Sequence, residues 1–151
     1  MTTLRESTKP YGERMAPTVS GDVRALLDRL ARAITVGDAK GIAALWEAPA
    51  LVVGAEGVVA VASLDEVARF FGGARAQYNA RGIVGTRADV LGEERIGDRV
   101  VVVKVRWPYL DASGPERGAE ASDYTLRRDD SGAFKVRSVL MRGAQSGAWA
   151  V

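Results

Sequence analysis

Residues 99–109 read RVVVVKVRWPY, a run in which apolar and polar side chains alternate toward its second half. Successive side chains of a β-strand point to opposite sides, so every second residue shares a face. One face contains Val101, Val103, Val105, Trp107 and Tyr109. The other face contains Val100, Val102, Lys104 and Arg106. The pattern predicts a strand that turns its first face to a core and carries two aromatic residues at one end.

Three more stretches near this strand show the same alternation, and turn residues separate them. The predicted strands cover residues 83–94, 99–109, 118–128 and 133–142. Residues 96–98 and 129–132 each contain glycine and aspartate, which favour tight turns, whereas residues 110–117 form a longer polar loop. Consecutive strands with short connections predict an antiparallel meander in the second half of the chain.

The beginning of the chain shows helical periodicity instead. Apolar residues recur at helical spacing from Val23 to Ile34, which predicts an amphipathic helix. Gly37 suits the left-handed end of this helix, and Asp38 can cap a second one. The second helix is predicted to carry Trp46 on its buried face and to stop at Pro49.

A small hairpin and a third helix are predicted between these helices and the meander. Short β-branched runs at residues 51–53 and 58–61 flank a glycine-containing turn. Ser63 and Glu66 match a capping box, and the helix that follows buries Tyr78. Because each glycine costs a helix roughly 1 kcal/mol relative to alanine, the pair at residues 72–73 weakens this helix and favours a kink or an early end.

The composition excludes several kinds of catalytic site. The chain has 151 residues, enough for one domain, and contains no cysteine and no histidine. Disulfides, thiolate metal sites and every triad built on histidine are therefore excluded. No acidic cluster or phosphate-binding glycine loop is present either, so we expect no metal and no cofactor. Catalysis would have to use carboxylate, tyrosine, lysine or arginine.

Charge and hydropathy set expectations for domain organisation and location. Residues 1–20 are polar and contain two prolines, which predicts a mobile lead-in, and residues 144–151, with Trp149, form a short tail. The domain is expected to span residues 21–143. Lysine and arginine total 21 against 19 acidic residues and are spread along the chain, so nucleic acid is not an expected partner. The lack of a signal-like or membrane-length apolar run favours the cytoplasm.

Two motifs resemble a known superfamily. Residues 37–46, GDAKGIAALW, match an entry of helix, Gly-Asp and helix, and residues 124–136, YTLRRDDSGAFKV, match a strand, an acidic glycine turn and an aromatic strand. Together with the order of elements, they resemble the nuclear transport factor 2-like superfamily, in particular its SnoaL-like polyketide cyclase and ketosteroid isomerase-like branches. The resemblance covers about residues 22–143.

The resemblance implies a fold and a place for a ligand. In this superfamily three helices pack on a strongly curved antiparallel sheet, forming an α+β cone with a pocket at its wide end, and homodimers are common. Isomerase-type members use a tyrosine and an acid pair, and many cyclase-like members use a histidine and an aspartate. This chain has no histidine, so their catalytic residues cannot be carried over position by position.

Strand parity nominates two neighbouring residues for chemistry. Tyr124 shares the apolar face of its strand with Ser122 and Leu126, and its hydroxyl would be a ligand hydrogen-bond donor. Asp123 lies between Ser122 and Tyr124 in the chain, on the opposite face of the strand. Next to an apolar cup such a carboxylate acts as an acid or base, whereas on an exposed face it pairs with an arginine.

Further candidates for ligand binding are mostly aromatic. They are Trp46, Tyr78, Trp107, Tyr109, Tyr124 and Arg142. The aromatic members line a pocket or close the core, and the sequence leaves both readings open. Arg142 continues the face of Phe134, Val136, Ser138 and Leu140. If that face stays inward, Arg142, Tyr124 and Trp107 converge on one cavity, and Arg142 would bind a carboxylate or a carbonyl oxygen; otherwise Arg142 meets solvent.

Three functions remain open at this point. The first is binding of a small, largely apolar organic ligand, and the second is an isomerase, cyclase or hydratase that moves protons with Asp123 and Tyr124. The third is a structural module for dimer assembly. A homodimer is predicted through the face opposite the helices, which the alternation assigns to Val100, Val102, Val139 and Met141.

Overall fold

The computed structural model describes residues 19–145, with the backbone alone at residue 145, as helices packed on one face of a six-stranded sheet. The helices are α1 (Gly21–Val36), α2 (Ala39–Ala43), α3 (Leu64–Phe71) and α4 (Ala74–Ala80). The strands are β1 (Trp46–Gly54), β2 (Gly57–Val61), β3 (Asp89–Ile96), β4 (Val100–Leu110), β5 (Glu116–Arg128) and β6 (Phe134–Gln145). Residues 1–18 of the predicted lead-in, and residues 146–151 with Trp149, lie outside this range.

Helix α1 forms as its periodicity predicts. Its buried stripe, Val23, Leu26, Leu27, Leu30, Ala31 and Ala33, packs in one core with the inward valines of β4. Gly37 ends the helix with a φ of 73°, a conformation that costs other residues about 1 kcal/mol or more. Asp38 then caps α2 by accepting a hydrogen bond from the Gly41 N–H at 2.9 Å.

The second and third predicted helices differ from expectation in extent. Helix α2 ends at Ala43, and Trp46 begins strand β1, which contains Pro49. The prediction that Trp46 belongs to a helix is wrong because the backbone after Leu45 pairs with β6. The predicted third helix starts at its Ser63 cap and divides at residues 72–73 into α3 and α4, as the glycine pair favours.

The sheet is mixed rather than purely antiparallel. Its strand order is β2-β1-β6-β5-β4-β3, and every neighbouring pair is antiparallel except β1 and β6, which run parallel. A parallel pair needs a long connection between its strands, and the helices α3 and α4 with the meander supply it. The α+β class expected from the sequence is confirmed.

Two bulges in β6 change which of its residues face inward. Leu126 pairs with Val136, but Thr125 pairs with Ser138, so Arg137 is an additional residue on β6. An additional residue moves every following side chain to the opposite face. The predicted parity of the second half of β6 is therefore reversed.

This reversal corrects four assignments. Val139 and Met141, predicted on the outer face, point to the helices, where Val139 is 2% exposed. Ser138 and Leu140 pair with the outward residues Thr125 and Asp123, so they lie on the outer face. A second bulge at Arg142 separates the pairs that Met141 and Gly143 make with β5.

No helix within residues 19–145 is long and apolar enough to cross a membrane.

Candidate functional site

A cavity of about 240 Å³ lies between the helices and the inner face of the sheet. The end of α1, helices α3 and α4, and residues 83–86 form one side of it. Strands β4, β5 and β6 form the other side. The helix break at Gly72 and Gly73 lies beside the cavity, and the bulged strand β6 turns Val139 and Met141 into its wall.

The floor of the cavity comes from paired residues of β4 and β5. Trp107 pairs with Glu120, and Val103 pairs with Tyr124. Paired residues of antiparallel strands point to the same face, so Trp107, Glu120 and Tyr124 all turn toward the helices. Ser122 lies between the last two on β5 and is 7% exposed.

Glu120 is the carboxylate of this cavity, and two tyrosines hold it. The hydroxyl of Tyr78, from α4, donates to Glu120 Oε1 at 2.6 Å. The hydroxyl of Tyr109, from β4, donates to Oε2 at 3.0 Å. A carboxylate can accept about four hydrogen bonds, so both oxygens retain room for a ligand donor.

The negative charge of Glu120 influences the tyrosines around it. Burial, followed by that charge and its hydrogen bond, raises the pKa of Tyr109 to about 12, and the same causes raise the pKa of Tyr78. Burial also raises the pKa of Tyr124, with contacts from Ser122 and Trp107 opposing the effect and the charge of Glu120 adding to it. All three hydroxyls therefore stay protonated near neutral pH and act as donors.

Aromatic rings dominate the walls. Of the eight aromatic side chains within residues 19–145, six line the cavity: Phe70, Phe71, Tyr78, Trp107, Tyr109 and Tyr124. The Trp107 and Tyr124 rings meet edge to face at 6.1 Å, and Tyr78 and Tyr109 lie 5.8 Å apart. Such contacts stabilise the rings in place and shape a water-poor wall.

The cavity opens to solvent on the helix side. Phe70 is 42% exposed and Val84 is 46% exposed, although both line the cavity. Arg75 also lines it, lies against Gly37 and donates from Nη1 to the Val36 carbonyl at 3.1 Å.

The structure separates the residues nominated from the sequence into two groups. Tyr78, Trp107, Tyr109 and Tyr124 line the cavity. Trp46 does not; it is 3% exposed and packs behind Phe71, with ring centroids 5.7 Å apart. Its indole N–H has no hydrogen-bond partner among the described residues.

Asp123 and Arg142 lie on the outer face of the sheet and form an ion pair. Arg142 donates from Nε to Asp123 Oδ1 at 3.1 Å and from Nη2 to Oδ2 at 2.7 Å. Neither residue lines the cavity, so the prediction that Arg142 converges there with Tyr124 and Trp107 is wrong. The prediction that Asp123 acts as an acid or base in the cavity is wrong for the same reason. The bulges of β6 carry Arg142 out, and the parity of β5 carries Asp123 out.

Glu120 is not among the candidates that the sequence pattern favours, although a signal for it exists. The inward set of β5, which contains Tyr124 and Ser122, reaches Glu120 when it is continued two residues toward the amino end. A glutamate beside a polar loop is easily read as exposed. The tyrosines that hold it lie on other elements, Tyr78 42 residues away in the chain and Tyr109 11 residues away. Within the described range, no cluster of three or more carboxylates could hold a metal ion.

Helices on a bent sheet, with a cavity opening between them, define the class of cystatin-like, or NTF2-like, cone proteins. Residues 21–144 match the family described as NTF2-like protein (DUF6841), and the chain belongs to that family. The resemblance to the nuclear transport factor 2-like superfamily is thereby confirmed. No curated protein sequence matches the chain.

Solved structures share the fold at low sequence identity. A cystatin-like domain of unknown function from Nostoc punctiforme has a TM-score of 0.65 at 18% identity, covering 83% of this chain and 78% of that one. The protein Aln2 from a Streptomyces species has a TM-score of 0.63 at 19% identity, covering 80% of this chain and 87% of that one. A ketosteroid isomerase-like protein from Erwinia carotovora atroseptica has a TM-score of 0.59 at 12% identity, covering 85% of this chain and 100% of that one. At these identities the similarity shows the fold.

Proposed function

We propose that this domain binds a small organic molecule, about one ring in size, in the aromatic cavity. The observation that supports the proposal is a cavity of about 240 Å³ with six aromatic side chains on its walls and a carboxylate at its floor. Ligand sites are typically apolar clefts of about 300–1,000 Å³ with a few converging polar groups. This cavity is below that range, which limits the ligand to a small one.

An assembly module would have little use for such a cavity. Protein interiors are close-packed, and a cavity forfeits contacts that a filled core would keep. A purely structural domain would also gain nothing from turning Glu120 and Ser122 inward beside Tyr124. Ligand binding accounts for both features.

A cavity-filling variant with a matched control tests the proposal. Ala74 lines the cavity at the start of α4, whereas Ala76 is exposed on the same helix and does not line it. Ligand-observed NMR on a set of one-ring compounds should detect binding to the wild type and to Ala76→Trp, but not to Ala74→Trp. Equal binding to both variants, or none to the wild type, would refute the proposal.

The second candidate function is proton transfer by an isomerase-like, cyclase-like or hydratase-like enzyme. It is favoured by a carboxylate, Glu120, and a tyrosine hydroxyl, Tyr124, that face the same cavity. The carboxylate role assigned from the sequence to Asp123 would then belong to Glu120. Exchange of the α-protons of a one-ring ketone for deuterium, followed by NMR in D₂O, should proceed faster with wild type than with Glu120→Gln. Equal rates would eliminate this candidate.

The homodimer stays a proposal, with a changed surface. Val100 and Val102 keep their places on the outer face, while Leu140 replaces Val139 and Met141 there. Leu140 is 39% exposed and Leu51, on β1, is 40% exposed. Exposed apolar side chains on a sheet are a common basis for an interface between copies.

A further inference from the structure

We propose that the ligand of this cavity is an organic cation, a protonated amine on an apolar body, whose N–H groups bind Glu120 among the aromatic rings. This rests on the proposed function, because it specifies the ligand class of the same cavity. It also replaces the anionic or carbonyl-bearing ligand expected from Arg142, which lies outside the cavity.

The charges that line the cavity are unevenly placed. Among the described residues, Glu120 and Arg75 are its charged lining residues. Arg75 is exposed and lies at the end of α1, where it donates to the Val36 carbonyl. Glu120 is partly buried and lies at the floor beside Trp107. A ligand in the cavity therefore meets a partly buried carboxylate, whereas the lining arginine is exposed to solvent.

The two tyrosines position the carboxylate without neutralising it. Each donates one neutral hydroxyl, at 2.6 Å to Oε1 and at 3.0 Å to Oε2, and neither brings a positive charge. A carboxylate in an apolar setting is costly unless it is paired, and its free acceptor sites favour a charged N–H donor. The raised pKa values of Tyr78, Tyr109 and Tyr124 fit a negative potential that extends across this floor.

The aromatic walls also favour a cationic ligand. Ring faces attract cations through their quadrupole, with the largest effect for tryptophan and in desolvated sites. Trp107 pairs with Glu120 and meets the Tyr124 ring edge to face, while Tyr78 and Tyr109 donate hydrogen bonds to Glu120. Aromatic faces of this kind bind ammonium groups, and the carboxylate adds a charged acceptor for their N–H groups.

Arg81 is a cation near these tyrosines, and its charge acts against the binding of a cationic ligand. Its guanidinium lies 5.3 Å from the centroid of the Tyr109 ring, and its charge counters the rise in the pKa of Tyr109 and Tyr78. Arg81 does not line the cavity. It therefore weakens the negative potential at Tyr109, through its charge and a hydrogen bond to that tyrosine, without lining the cavity.

Three probes with one ring and different charge test the inference. At pH 7, 2-phenylethylamine is cationic, 2-phenylethanol is neutral and phenylacetate is anionic. Isothermal titration with the wild-type protein should give the amine at least about tenfold higher affinity than the alcohol, with phenylacetate weakest. Glu120→Gln should remove the preference for the amine and leave the affinity for the alcohol within about twofold of its wild-type value. Asp123→Asn, three residues further along β5 on its outer face, should keep the wild-type pattern.

The outcomes distinguish this inference from the function on which it rests. If the alcohol binds the wild type as tightly as the amine, and Ala74→Trp abolishes its binding, the cavity binds ligands but the cationic class is wrong. Tightest binding of phenylacetate would also overturn the inference. If no probe binds the wild type, the inference and the proposed function fail together. The wild-type ranking needs no variant, so a poorly folded Glu120→Gln protein would not remove the test.

Discussion

The bond between Tyr78 and Glu120 should contribute measurably to stability. Tyr78→Phe removes one hydroxyl and keeps the ring, including its contact with Tyr109 at 5.8 Å. The lost bond is short, 2.6 Å, and its acceptor is a carboxylate, a class worth about 1.5–3 kcal/mol. Because Tyr78 is only partly buried, we expect a loss of about 1.5 kcal/mol in the free energy of unfolding. That corresponds to a fall of about 3–6 °C in Tm for a domain of this size.

Urea unfolding at pH 7, with a double-mutant cycle, measures this contribution. Glu120→Met removes the acceptor, so Tyr78→Phe should cost almost nothing further in that background. The longer bond of Tyr109, 3.0 Å, provides a comparison, and Tyr109→Phe should cost no more than Tyr78→Phe. A Tyr78→Phe protein within about 0.3 kcal/mol of wild type, or an equal loss with and without the Glu120 carboxylate, would refute the reasoning.

Three further outcomes are expected. Stability should fall as the pH rises from about 10 toward 12, because unfolded tyrosine ionises near 10 whereas the pKa of folded Tyr109 is raised to about 12. Tyr109→Phe should reduce this loss of stability in alkaline urea titrations. An unchanged slope of stability against pH would contradict the prediction. Gly37→Ala should cost about 1–2 kcal/mol in urea unfolding, because φ is 73° and a Cβ would lie 2.5 Å from the Arg75 Cδ, whereas Gly54→Ala, with nothing within 4 Å, serves as control. Leu140→Glu should convert a homodimer to monomer in sedimentation, and a wild type that sediments as a 16.1 kDa monomer at micromolar concentration would disprove the dimer.

The local elements were predictable because their signals are local. Helix α1 follows from a stripe of apolar residues at helical spacing, and its end follows from Gly37. Strand β4 was expected at residues 99–109 and is observed at Val100–Leu110. A strand or helix that buries one face must repeat apolar residues with its own period, whatever it packs against. Strand β3 begins at Asp89 rather than at residue 83, since Gly85 makes only an isolated bridge to Leu110.

The candidate site was predictable only in part. The parity of β4 and β5 placed Trp107, Tyr109 and Tyr124 on the inner face, and all three line the cavity. Arg142 was misplaced because its parity was counted through a regular strand, and the bulge at Arg137 breaks that count. Nothing in the residues 133–142 by themselves marks the bulge, which arises where β6 must pair with β5 and β1 at once.

Apolar periodicity, glycine and capping residues by themselves determined the α+β class, the order of the elements and the inner faces of β4 and β5. Those features follow from the burial of one face and from backbone preferences, which act over a few residues. The tertiary structure alone decided that Trp46 begins a strand, that Arg142 pairs with Asp123 outside the cavity, and that Tyr78 and Tyr109 hold Glu120 within it. Each of these depends on how separate segments pair, and a shift of one residue in register exchanges the two faces of a strand.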